Sequence, residues 1–74
     1  MMDRTQTFNN QKLRELRGHQ TLRAFAASLS ERAGRPISYQ IVHYWETGRF
    51  EPTLKNVSLL AEHAGQPIGY FLEE

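Results

Sequence analysis

Glycine cuts this chain into short pieces. Gly18, Gly34, Gly48 and Gly65 each stand just past a segment with helical apolar spacing, where a left-handed C′ residue ends a helix. Thr21, Ser38 and Thr53 each stand just ahead of one, where a side-chain oxygen accepts a backbone N–H at the N-cap. No alternating run is long enough to predict a strand. The chain therefore reads as all-α, a series of five short helices.

The segment Met1 to Asn9 is polar and aperiodic apart from Phe8, and reads as a flexible N-terminal arm that joins the fold near Phe8 or Asn9. Arg4 is its single basic residue. Residues 10–74 read as one domain. Leu13 and Leu16 place a first helix of about two turns before Gly18. Leu22, Phe25, Ala26 and Leu29 form the apolar stripe of a second. Arg35-Pro36 breaks the chain, and Ile37 returns it to the core. After Pro52, the stripe Leu54, Val57, Leu60, Ala61 and Ala64 predicts a fourth helix. Pro67 opens a final short turn that presents Ile68, Phe71 and Leu72.

Seventy-four residues lie near the lower limit for a single core, so folding must rest on efficient packing or on a second subunit. The length leaves no room here for a separate catalytic or effector domain. Without cysteine there are no disulfides or thiolate metal sites, which suits a reducing, cytoplasmic setting. No apolar run approaches the roughly 20 residues of a membrane span, and no apolar signal-peptide core follows Met1. The only Asp is Asp3, and His19, His43 and His63 fall in separate segments without ligand spacing. No catalytic residue, metal site, cofactor or small-molecule substrate is expected. The net charge of +1 is low for a nucleic-acid binder, but its distribution is uneven. From Lys12 to Arg35 six basic residues face two acidic ones, whereas from Glu46 onward five Glu outnumber Arg49 and Lys55.

The third helix, between Ser38 and Gly48, has an unusual outer face. Val42 and Trp45 turn to one side, with Ile41 at its edge, while Gln40, His43, Tyr44 and Thr47 turn to the other. An ordinary solvated face is rich in Lys and Glu; this one is neutral and rich in hydrogen-bonding groups. A surface of that kind is suited to touching a partner such as the major groove of DNA. Helix N-termini favour phosphate, so Thr21 and Ser38 are candidate phosphate sites, with Arg23, Arg35 and Arg49 placed to add charge.

The order of these parts resembles the lambda-repressor-like helix-turn-helix domains of the Cro/CI (XRE) family. The residues that carry the resemblance are Leu13-Arg14-Glu15-Leu16-Arg17, Phe25-Ala26, Ser38 to Trp45, Glu46-Thr47-Gly48, Pro52 and Leu54 to Ala61. It implies a five-helix DNA-binding domain and a transcriptional regulator, most simply a repressor, binding a two-fold operator in double-stranded DNA as a homodimer. The helix over residues 39–47 is then the recognition helix, with Tyr39, Gln40, His43 and Tyr44 as base readers and Thr47 on the backbone. Packing over the lengthened connection is the alternative for each tyrosine. The resemblance also implies an Arg17–Glu46 salt bridge. The dimer surface is expected at Ile68, Tyr70, Phe71 and Leu72, unless these complete the core.

Three departures stand out. Leu22 replaces the polar residue that usually opens the second helix. The connection between the second and third helices, over Ser30 to Pro36, is longer by about six residues, which an extended second helix plus a wider turn would accommodate, and the loop after the first helix is shorter. Leu22 and the low net charge fit a rival reading, a protein-interaction module of antitoxin or adaptor type that docks through the same tyrosine-rich face.

Overall fold

The structure is a computed structural model that describes residues 7–73; the arm residues 1–6, Arg4 included, and residue 74 lie outside it. Its described part is all-α, with four α-helices and a 3-10 turn closed by a minimal sheet. In chain order these are β1 (Thr7–Phe8), α1 (Asn10–Arg17), α2 (Leu22–Ala33), α3 (Tyr39–Thr47), α4 (Leu54–Ala64), the 3-10 turn Ile68–Phe71 and β2 (Leu72–Glu73).

Each α-helix starts on an oxygen that accepts from the third residue on. Asn9 caps Lys12 N at 3.1 Å, Thr21 caps Ala24 N at 3.0 Å, Ser38 caps Ile41 N at 3.2 Å, and Thr53 caps Asn56 N at 3.3 Å. Gly48 ends α3 at φ 81°, in the left-handed region that disfavours side chains. A Cβ there would also lie 3.1 Å from the Asn10 side-chain nitrogen. That close approach ties the exit of α3 to the start of α1.

Phe25, Phe71, Leu13, Leu29, Leu60 and Val42 are fully buried at the centre, with Trp45 beside them. Each such side chain contributes about 1.5–3 kcal/mol by leaving water. Ile37 returns to this core from the α2–α3 connection, at 7% exposure.

Three expectations need correction. The arm does not extend through residue 9, because Thr7 and Phe8 pair antiparallel with Glu73 and Leu72, and Asn9 N donates to Phe71 O at 2.7 Å. Phe71 is not surface: it is 0% exposed and stacks on Phe8 with ring centroids 5.9 Å apart. Leu72 is held half-buried in the same ladder. Leu54 is not core, since at the first position of α4 it projects beyond the packed helices and is 66% exposed, while Leu59 is buried in the α4 face. As the position of Gly34 predicts, α2 runs through Ala33, so the stretch Ser30 to Pro36 divides between its last turn and a connection over residues 34–38.

That connection is tied down at both ends. The Ser30 hydroxyl accepts from Ile37 N at 2.8 Å and donates to Ala26 O at 2.8 Å. Arg35 Nη2 donates to Asn56 Oδ1 at 2.5 Å and fastens the turn to α4. No helix among the described residues is long and apolar enough to cross a membrane.

His63, in the last turn of α4, meets the Phe25 ring edge-on at 5.7 Å and accepts from Arg32 Nε through Nδ1 at 3.2 Å. Burial, and secondarily the Arg32 charge, hold its pKa below the ordinary imidazole value. The unfolded chain therefore takes up this proton first as pH falls. Stability at His63 is constant above about pH 6.5, declines as pH drops from there to the lowered native value, and is flat below it. His63→Gln should flatten that part of the stability–pH curve in urea titrations. Gly48→Ala should cost about 1–2 kcal/mol from backbone strain, and more than Gly65→Ala, whose Cβ would meet nothing within 4 Å. Urea unfolding read by Trp45 fluorescence measures both.

Candidate nucleic-acid interface

The nine residues of α3 include one charged side chain, Glu46, and it is buried at 4% exposure. Gln40, His43 and Thr47 are exposed, Tyr39 and Tyr44 are half-buried, and Val42 and Trp45 face the core. The outer ridge is thus neutral and polar, without Lys or Glu. Gln40 is exposed rather than sealed beneath the 34–38 connection.

How α3 sits is decided by α1. Arg17 and Arg14 lie three residues apart and share a face of α1. Arg17 grips the Glu46 carboxylate with two bonds, Nε to Oε2 at 2.6 Å and Nη2 to Oε1 at 3.0 Å. Its Nη1 also donates to Gln20 O at 2.8 Å, bracing the short loop after α1. Arg14 Nη1 donates to the Glu46 backbone carbonyl at 2.5 Å. The hydrogen bonds to Glu46 raise the Arg17 pKa above its ordinary value. The contribution of Arg14 was not anticipated from sequence, although its spacing from Arg17 signals it.

The two tyrosines are occupied in different ways. Arg23, in the first turn of α2, lies over the Tyr39 ring at 4.1 Å and donates to its hydroxyl at 3.2 Å. One ring face and one lone pair of Tyr39 are therefore engaged, and Arg23 is aimed by them. Tyr44 packs on the segment after α3 rather than on the lengthened connection. Phe50 meets it edge-on at 5.2 Å and the Arg49 guanidinium stands 5.2 Å from its ring centre. The Tyr44 carbonyl accepts from Arg49 N at 3.0 Å, folding that segment back on the helix.

The remaining candidates divide. Thr21 and Ser38 are exposed caps whose oxygens accept from backbone N–H groups. Thr47 donates to Tyr44 O at 3.3 Å. Arg35 is turned toward Asn56 and is half-buried there, away from the Arg23–Tyr39 pair. Leu22 packs half-buried against the core. Tyr70 carries Lys12, whose Nζ lies 4.3 Å over the ring and donates to Tyr70 O at 2.9 Å, while Ile68 is 39% exposed. Phe50, 49% exposed beside Tyr44, is a surface residue that periodicity could not flag because it lies between helices.

Among the described residues no three His, Asp or Glu side chains converge as metal ligands. No protein-family model matches the chain, and neither a curated protein nor a solved structure matches it.

Removing Arg17 strands a buried carboxylate. Arg17→Met should destabilise by about 2–3 kcal/mol, below the cost for a fully buried pair because the guanidinium is 24% exposed. Arg17→Met with Glu46→Leu should recover most of the loss. A double-mutant cycle in urea with Trp45 fluorescence measures the coupling.

Proposed function

We propose that the chain is a sequence-specific double-stranded DNA-binding regulator, a repressor of the Cro/CI type, in which α2 and α3 form a helix-turn-helix and α3 enters the major groove. The observation that carries this reading is the uncharged, exposed ridge Gln40, His43 and Thr47 on a helix whose only charge is turned inward and fixed. A groove lined with donors and acceptors is read by side chains of that kind, whereas phosphates are met by cations at the edges.

The roles follow from position. Gln40, in the N-terminal half of α3, reads a base, and its amide can bond adenine N6 and N7 together for discrimination of about 1–3 kcal/mol. His43 and Tyr44 line the next part of the groove. Tyr39 serves chiefly to hold Arg23 toward one strand, and Arg49, stacked near Tyr44 and Phe50, meets the other strand. Thr21, Ser38 and Thr47 add hydroxyl contacts to phosphate. Arg35 contributes mainly by setting the α2–α3 turn through Asn56. One recognition helix contacts few base pairs, so the protein acts as a homodimer on paired half-sites about one helical turn apart.

Selection of bound sequences from a random duplex pool, followed by salt titration on the winner, tests this. Affinity should fall steeply with salt and favour one sequence. Gln40→Ala should relax preference at one base position by about tenfold or more, while Arg49→Ala should weaken all sequences alike and lower the salt slope by about one. Duplex affinity without sequence preference, or none at low salt, replaces this reading with the protein-docking one.

A further inference from the structure

The lengthened connection between α2 and α3 leaves a hollow beside it. Residues of that connection, of α3 and of α4 enclose an open cavity of about 320 Å³. That is at the lower end of the range for small-molecule sites, about 300–1,000 Å³. Pro36, Ile37, Ile41 and Trp45 give it apolar walls. The polar groups around it have donors to spare, and none of the described residues lining it is acidic. Arg35 is half-buried and donates from Nη2 to Asn56 Oδ1 at 2.5 Å, yet among the described residues no carboxylate pairs with it. Most of its N–H donors are therefore uncommitted, and Asn56 still has its amide N–H groups to offer. Trp45 is 2% exposed, and its indole N–H is bonded to no group among the described residues. Since no buried side-chain nitrogen there lacks a partner, that N–H belongs to the small part of Trp45 left open.

We propose that this cavity is an effector site for a small aromatic carboxylate, with the ring among Ile37, Ile41 and Trp45 and the carboxylate on the Arg35 guanidinium. A half-buried cation without a counter-ion favours an anion, and a guanidinium matches the two oxygens of a carboxylate with parallel N–H bonds. Inorganic phosphate would satisfy the charge but leave the apolar walls in water, and a neutral hydrocarbon would do the reverse. An aromatic body is favoured because the positive, N–H-bearing edge of the indole attracts the face of a second ring. Binding itself does not depend on the regulator reading; its consequence for DNA does. The carboxylate competes with Asn56 for Arg35, the residue that fastens the turn ahead of α3, so occupancy changes duplex affinity by as much as the two arrangements of the turn differ in affinity for the ligand.

Titration of the isotope-labelled full chain with sodium phenylacetate, read by nuclear magnetic resonance at the Trp45 indole N–H, tests the site. Trp45 is the only tryptophan, so that resonance is unambiguous. It should move saturably with phenylacetate. Phenylacetamide lacks the charge and sodium acetate lacks the ring, and each should bind at least about tenfold more weakly. Arg35→Gln should weaken phenylacetate by at least about tenfold, whereas Arg32→Gln, which removes a cation outside the cavity lining, should leave it unchanged. The backbone amide resonances report whether each variant stays folded, and the comparison of the three ligands uses the unsubstituted chain, so it stands where Arg35→Gln does not fold. No saturable movement, phenylacetamide or acetate binding as tightly as phenylacetate, or a folded Arg35→Gln chain with unchanged affinity overturns the assignment. Duplex affinity with and without saturating phenylacetate keeps the two conclusions apart. A phenylacetate site in a chain that binds no duplex sinks only the regulator reading, duplex binding by a chain indifferent to phenylacetate sinks only this one, and a bound ligand that leaves duplex affinity unaltered overturns the effector role.

Discussion

A carboxylate buried at the end of a nine-residue helix is the constraint on which this arrangement depends. Glu46 lies in the last turn of α3, where the helix dipole is negative and a negative side chain is disfavoured, and it is almost fully removed from water. Both penalties are offset from the same element. Arg17 grips the carboxylate from α1, and Arg14 satisfies the carbonyl of the same residue. A helix this short is not stable alone, so its existence and its roll about its own axis come from tertiary contacts. Val42 and Trp45 press one side into the core, and the two arginines fix the rotation that leaves Gln40 and His43 outside. Rotating α3 by even one position would bring Glu46 out and drive a polar ridge residue inward.

The second constraint is the connection that leads into α3. A five-residue turn has more freedom than a tight one, and freedom there would let the helix drift. Three contacts remove it. Ser30 reaches out of α2 to the backbone of Ile37, Ile37 inserts into the core, and Arg35 locks onto the first turn of α4. The chain also places extra sequence where it costs little, because Ser30 to Ala33 simply lengthen α2 before the turn begins. Among the described residues no buried side-chain nitrogen or oxygen is left without a hydrogen-bond partner, so these polar ties are complete rather than partial.

Helix positions were legible in the sequence because they are written locally. Thr21, Ser38 and Thr53 cap, glycines terminate, and the stripes of α2 and α4 face inward over most of their length. What could not be read depends on distant partners. Thr7 and Phe8 become a strand only because Leu72 and Glu73 come alongside, and two-residue strands leave no alternation to detect. Leu54 continues the α4 stripe by spacing, yet among the described residues no element covers it, and periodicity carries no information about where a neighbour ends. Tyr39 was legible as a surface aromatic on α3, but its pairing with Arg23 joins residues sixteen apart on different helices. The ambiguity at the C-terminus was of the same kind: Ile68 and Phe71 look alike in sequence, and the stacking on Phe8 decides that one is surface and the other core.

The small net charge acquires a different meaning once the cations are located. On the proposed reading, a chain with a surplus of +1 cannot rely on a broad basic field for affinity, so each phosphate contact must lose little on binding. Arg23 and Arg49 are suited to this because both guanidiniums already lie against aromatic rings, Arg23 with a hydrogen bond to the Tyr39 hydroxyl as well. An arginine held in place before binding forfeits less rotamer entropy, which for a mobile side chain is about 0.5–1.5 kcal/mol. The exposed Glu51 and Glu62 would at the same time repel a duplex approaching from their side. Electrostatics in such a chain chooses the orientation of approach more than it supplies the strength of binding, and the neutral ridge of α3 is left to discriminate between sequences.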